Sequence, residues 1–351
     1  MSTTSLAQSR PTRILHSGFS YEDWSGLKTL FAKAVILFND NKNVGQEAIA
    51  LMRAVIHQCH RALVTNVDLI VPGASEVSEE QPTMESPCPV EGLQSHTITQ
   101  HQAAVTAGEN KSRTNEYLCI LHAILGTALF LFGKIIISNT SLALPGEPTT
   151  ALPYWLSALD VFESGYNLPA RTNASYSHRE NWLLAVSDSR VLVALLGQFI
   201  TEEENKRNTT ELFTGDGKWP RNSPLGTIVS MRPPRTQRMA LSLMSPGELM
   251  LIATDQFMRG ILYMPHCNSV DFPHFSRVEE LLTIATEVLE VVERFPSLVE
   301  RPRWALWVES ILNLIKPEMV TDGQNERCNL VRVWCHSLIY VDQKSEVVIH
   351  E

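Results

Sequence analysis

The sequence predicts an all-α fold of stacked helix pairs, an α-solenoid of the tetratricopeptide or HEAT kind with long loop insertions. Three observations predict it. Apolar residues recur at the i, i+3/i+4, i+7 spacing of one helix face in window after window. Ser–Glu pairs with capping-box spacing stand before three of those windows: Ser177 with Glu180, Ser245 with Glu248, and Ser276 with Glu279. Strand alternation is unconvincing everywhere, the only strand-like runs being Gly226–Met231 and the tail Glu346–His350.

Taken in order, Trp24, Leu27, Phe31, Ala34 and Phe38 form the first stripe, with Ser20 and Asp23 at its start in a variant capping box. Ala48, Leu51, Met52, Val55, Ile56, Cys59, Ala62 and Leu63 form the second. The short polar turn Asp40–Asn43 makes these two an antiparallel hairpin. Residues Asp68–Thr114, broken by Pro72, Pro82, Pro87 and Pro89, read as a surface loop or disordered insertion. Helices follow at Tyr117–Ile137 and, beyond a Pro/Gly loop, at Tyr154–Ser164.

The second half repeats the pattern. Its stripes are Trp182, Val186, Ser189, Val193, Leu196 and Ile200; then Leu249, Ile252, Ala253, Phe257, Ile261 and Met264; then Val278, Leu281, Leu282, Ala285, Val288, Leu289, Val292 and Phe295. Pro246 takes a first helical position, where its missing N–H costs nothing. Two last helices are expected near Arg301–Ile315 (Trp304, Trp307, Val308, Ile311, Leu312) and Glu326–Val341 (Leu330, Val333, Trp334, Leu338). The resulting divisions are a flexible N-terminus (1–19), a helix hairpin (20–66), an insertion (67–114), a tetratricopeptide-like region (115–200), a basic Pro/Gly-rich loop (201–244), a C-terminal helical repeat region (245–342) and a tail (343–351).

Composition narrows the function. Hydrophobic residues at 44% against 19% charged exclude wholesale disorder. A net charge of −9 repels phosphate, so direct nucleic-acid binding is not expected. The exception is Asn205–Arg238, where seven Lys/Arg face only Glu211 and Asp216. It reads as a solvated insertion or as a docking segment for an acidic protein or RNA backbone. Its poor apolar periodicity predicts that its removal leaves the fold intact. Six cysteines without a Cys-x-x-Cys pair fit a reduced, intracellular protein. The first twenty residues lack the apolar stretch of a secretory signal. Tyr117–Ile137 approaches the length of a membrane span, but His122 and Lys134 interrupt it; it reads as the central helix of a soluble stack, with no membrane partner.

No catalytic constellation emerges. His57, Cys59 and His60 share a helix, but a structural zinc needs four ligands and no companion cluster is evident. His122 is expected as a hydrogen-bonded core histidine. Glycine-rich phosphate loops, a Gly-x-Ser-x-Gly elbow and a His-Glu-x-x-His motif are missing from the sequence. The expectation is a protein that is not an enzyme, with no metal and no cofactor. Trp155, Trp182, Trp304, Trp307 and Trp334 lie on or beside helical stripes, where core packing is the default. Tyr154 and Trp155, just after the Pro/Gly loop, are the first candidates for interface anchors.

Several segments resemble the fungal "enhancer of translation termination" family, which includes the negative regulator of a prolyl-hydroxylase-like dioxygenase. They are LMRAVIHQCHRAL (Leu51–Leu63), HAILGTALFLFG (His122–Gly133), SLALPGEPTTALPYWLSALDVFESGYNLPAR (Ser141–Arg171), RENWLLAVSDSRVLVAL (Arg179–Leu195), DQFMRGILYMPH (Asp255–His266) and FSRVEELLTIATEVLEVVERFPS (Phe275–Ser297). The likeness covers most of Leu27–Lys316 and includes no catalytic signature. It implies a nuclear adaptor, shared with the cytoplasm, that serves accurate stop-codon termination and tunes hypoxic gene expression. The implied partners are a ribosome-associated translation factor and a 2-oxoglutarate dioxygenase-type regulator. Arg171, Arg259 and His266, all within these segments, join Tyr154 and Trp155 as candidate partner-binding residues. One departure stands out: family N-termini often carry a Lys/Arg-rich start suited to nuclear import, and here there are only Arg10 and Arg13.

The alternative is a general tetratricopeptide-type scaffold, a co-chaperone or nuclear transport adaptor. Its clamp for a peptide carboxylate would draw on Arg53, Arg61, Arg190 and Arg259. A third reading, the regulatory domain of a transcription factor without its DNA-binding module, lacks a Cys₆ zinc cluster in this chain.

Overall fold

The computed structural model describes residues 21–39, 45–65, 97–168, 182–204, 219, 223–230, 236–265, 275–315 and 320–348. Among them every regular element is helical: α1 Tyr21–Asn39, α2 Gln46–Thr65, α3 Thr97–Ser138, α4 Leu152–Tyr166, α5 Trp182–Glu204, α6 Pro224–Ser230, α7 Thr236–Leu241, α8 Pro246–Tyr263, α9 Arg277–Val292, α10 Glu300–Leu312 and α11 Asp322–Val348, with a 3₁₀ turn at Thr140–Leu142. The all-α expectation therefore holds.

Packing follows chain order. Helix α1 packs on α2, α3 on α4, α5 on α8, and α9 on α10, while α11 closes against both α9 and α10. Between these pairs, α2 packs on α3 and α4 on α5; α3 also touches α1, α5 packs on both α3 and α9, and α9 packs on α11. Close approach needs small residues. A Cβ at Gly126 would lie 2.2 Å from the Phe162 ring, and one at Gly260 would lie 2.5 Å from Val186 and 3.1 Å from the Trp182 carbonyl oxygen. These glycines bring α3 against α4 and α8 against α5.

The apolar stripes form one core that runs through all the pairs. Of the stripes on α1, α2, α5, α8 and α9, only Phe38, Leu51 and Ile252 are more than marginally open. Tyr117–Ser138 and Trp182–Glu202 are both long and apolar enough to cross a membrane, and 83% and 78% of their most apolar stretches are buried inside the protein. His122 is buried, with Nδ1 2.6 Å from the Leu118 carbonyl oxygen, as a core histidine should be.

Helix starts obey the caps that can be checked. Ser245 Oγ accepts from the Glu248 amide at 3.3 Å while the Ser245 amide donates to Glu248 Oε2 at 2.8 Å, with Pro246 in the first turn. Such a cap is worth about 1 kcal/mol. At α9 only half of the box forms: Ser276 Oγ accepts from the Glu279 amide, but the Glu279 carboxylate accepts from Gln324 Nε2 and Arg327 Nη1 of α11 at 2.9 and 2.6 Å. The residue read as a local cap thus also ties α9 to α11. Ser20, Ser177 and Glu180 lie outside the described residues.

Four expectations need correction. Residues 97–114 are helical and belong to α3, whereas the insertion was expected to reach Thr114; after Pro89 no proline interrupts the chain there, and Ala, Gln, Glu and Lys are good helix formers. The tail from 343 was expected outside the last helix, but α11 continues to Val348; the strand-like run that starts at Gly226 is helical as far as Ser230, within α6. On α11 the buried side carries Cys328, Cys335 and Ile339, while Leu330 and Val333 are exposed. Apolar residues lie on two sides of that helix, and the cysteines mark the inner one.

The fourth concerns the basic loop. Leu225, Ile228 and Leu241 are buried in the core. Trp219 stands edge-on to Tyr154 at 5.0 Å and donates Nε1–H to Ser157 Oγ at 3.2 Å. Arg238, buried, pairs with the buried Asp160 of α4, Nε to Oδ1 2.8 Å. These described residues of the segment are part of the fold, so its removal would open the core over α4.

Candidate functional site

Helices α3, α5 and α9 share one face, and four charged residues meet in it. Three of them are out of place in their own sequence: Lys134 interrupts the apolar run of α3, Arg190 lies midway along the buried α5, and Glu287 sits on the buried side of α9. A charge on an apolar face is tolerated only when paired. Here Arg190 grips Glu287 in a two-pronged fork, Nε to Oε2 at 2.8 Å and Nη2 to Oε1 at 2.9 Å. Lys134 Nζ donates to the same Oε1. Glu280, two helical turns earlier on α9, lies 3.4 Å from Arg190 Nη1. The Phe130 ring faces both cations, 5.3 Å from Lys134 Nζ and 5.5 Å from the Arg190 guanidinium.

Two cations and two carboxylates thus close on one another, and their ionisation follows. Burial alone raises the Glu287 carboxyl, but Arg190 and Lys134 outweigh it and hold the group down at about 2. Burial, with the nearby Glu287 charge, raises Glu280 despite Arg190. Burial works against the Arg190 charge, yet Glu287 and Glu280 raise its pKa further.

Above this cluster opens a cleft of about 310 Å³. Its apolar wall is Ile137, Trp155, Val193, Ala194 and Val291; Gln198, Thr201, Glu290 and Arg294 give it a polar rim. Gly197 makes room for Arg294: a Cβ there would stand 3.0 Å from its Nη2. Arg294 donates Nη1–H to Thr201 Oγ1 at 3.3 Å and Nε–H to the Glu290 carbonyl at 3.1 Å, bridging α5 and α9. An apolar wall with a mixed-charge rim on a rigid, ion-paired base suits side chains of another polypeptide.

The sequence-predicted residues are distributed differently. Trp155 does reach the cleft, but by one edge: its ring is buried and Nε1–H donates to the Phe130 carbonyl at 3.2 Å. Tyr154 is fully enclosed, stacked on Phe132 at 4.8 Å, its hydroxyl donating to the Pro148 carbonyl at 3.0 Å. Neither is an exposed anchor: Phe132, Trp219 and the Pro148 carbonyl enclose Tyr154, and Phe130 and Gly133 of α3 lie against Trp155. Arg53 holds the Pro/Gly loop that precedes them, pairing with Glu147 at 2.6 Å just after Gly146, whose φ of 89° makes the turn. Arg259 is exposed on α8, away from the cleft's lining, and pairs with Asp255. Arg171 and His266 lie outside the described residues. His57 and Cys59 diverge, one exposed and one buried, so the metal-like spacing is not a cluster. Glu287, the hub, was not among the candidates; the available signal was its place on the inward face of the apolar run of α9, which also carries Glu290.

Comparisons of the chain with protein-family models, with curated proteins and with solved structures each return no match.

Proposed function

We propose that this chain is a non-enzymatic helical-repeat adaptor whose α3/α5/α9 face holds a segment of a partner protein. The observation that carries the reading is the order of packing. The first helices touch in series, α1 to α3, α3 to α5, α5 to α9 and α9 to α11, while α2 packs on α3, α4 on α5 and α10 on α11. That alternation is the rule of a tetratricopeptide-like solenoid, which presents its first helices as a continuous binding face. The cleft belongs to that face, being lined mainly from α3, α5 and α9.

The likeness to the translation-termination family supplies the partners: a ribosome-associated translation factor and a 2-oxoglutarate dioxygenase-type regulator, met in the nucleus and the cytoplasm. The acidic balance of the chain favours protein contacts over direct nucleic-acid contacts. A carboxylate-clamp scaffold is less well supported, since Arg53 and Arg190 are committed to Glu147 and Glu287. In a host lacking the gene, stop-codon readthrough in a dual reporter is expected to rise and to return to normal when the chain is supplied. Unchanged readthrough would remove the termination role.

A further inference from the structure

Among the described residues, helix α8 packs on α5 with one side and leaves the other exposed. On the open side Leu251, Met258 and Leu262 are 51%, 43% and 71% exposed, and Tyr263 borders them. Surface helices ordinarily turn a polar face outward. Here the outward stripe is apolar, at i, i+7 and i+11, and about 16 Å long at 1.5 Å per residue. The charges within it are Asp255 and Arg259, one turn apart and joined by an exposed ion pair of 2.7 Å.

We propose that this face is the interface of a two-fold homodimer in which α8 lies antiparallel to α8 of a second copy. The order of the residues selects that occupant. A two-fold axis at position 257 exchanges positions 255 and 259, so Asp255 of each copy meets Arg259 of the other. The same axis sets Leu251 against the second copy's Leu262 and Tyr263, and brings the two Met258 side chains together beside it. A partner of a single charge would leave Asp255 or Arg259 opposed by its like; a second copy matches both. This self-complementarity is what an isologous interface requires, and an exposed apolar stripe is what one buries. The inference is independent of the adaptor reading, because α8 contributes nothing to the cleft.

Sedimentation of the full chain from about 1 to 100 µM, a span that brackets ordinary dimer affinities, should show a species of twice the 39.3 kDa chain mass. Leu262→Glu should raise the dissociation constant roughly 30-fold or more, the effect of losing one hot-spot residue. Asp255→Arg and Arg259→Asp should each weaken the dimer, and the double exchange should restore it. Unchanged helicity shows that each variant is folded, as the exposure of these positions leads one to expect. Met258→Cys should cross-link into a covalent dimer on mild oxidation, whereas Thr29→Cys on α1 should not. A chain that stays monomeric throughout, binds only some other protein through this face, or forms a dimer indifferent to Leu262→Glu and uncross-linked at position 258 would overturn the proposal.

Discussion

Replacing Glu287 with glutamine should destabilise the protein by on the order of 3–5 kcal/mol, the usual consequence of removing one partner of a buried ion pair. The variant keeps the shape of the side chain and leaves Arg190 and Lys134 facing a neutral amide in a largely buried site at the base of the cleft. Urea or thermal unfolding measures the loss. Replacing Glu287, Arg190 and Lys134 together by Leu or Met should recover much of it, since a well-packed apolar trio carries no desolvation cost. The pH dependence gives a second, sharper readout. The Glu287 carboxyl is depressed from its ordinary 4.5 to about 2 in the folded chain. Its contribution is therefore complete above pH 4.5 and is lost as pH falls through that window towards 2. The stability gap between the native chain and Glu287→Gln should narrow over the same interval. A gap that stays constant with pH would mean that the carboxylate is not held by those cations.

Arg238→Ala should be of similar size, about 3–5 kcal/mol by the same reasoning. It strands the Asp160 carboxylate under the α6–α7 segment and loosens the cover over Tyr154, Ser157 and α4. Lys33→Ala provides the contrast: its pair with Glu47 is open to solvent on both sides, and such pairs contribute roughly 0–1 kcal/mol. Equal effects at the two positions would contradict the packing described for the insertion.

These two predictions mark where the sequence was readable and where it was not. Helix identity and inward faces were legible for α1, α2, α5, α8 and α9, because their stripes run four turns or more and nothing competes with a 3.6-residue period. Caps were legible where Ser and Glu stand three apart, as at Ser245. One turn of the same kind passed unread: Thr321 and Gln324 exchange backbone-to-side-chain bonds at the start of α11. The insertion was misread because its buried residues, Leu225, Ile228, Arg238 and Leu241, are spread over two short helices that show too little periodicity to register. Tyr154 and Trp155 were misplaced because a tyrosine or tryptophan after a loop looks the same in sequence whether its ring faces outward or packs inward. The site itself was half visible. Lys134 and Arg190 were noticed as charges, but only the tertiary fold shows that both converge on Glu287 from different helices, 153 and 97 residues away in the chain.

The claim that the α3/α5/α9 face is the working surface is tested most directly at its exposed rim. Ile137→Arg combined with Gln198→Arg fills the cleft from positions that carry little of the core. In a host lacking the gene, this variant should accumulate and fold as the native chain does, yet leave stop-codon readthrough as high as with no chain supplied. Full restoration of termination by the folded double variant would contradict the account.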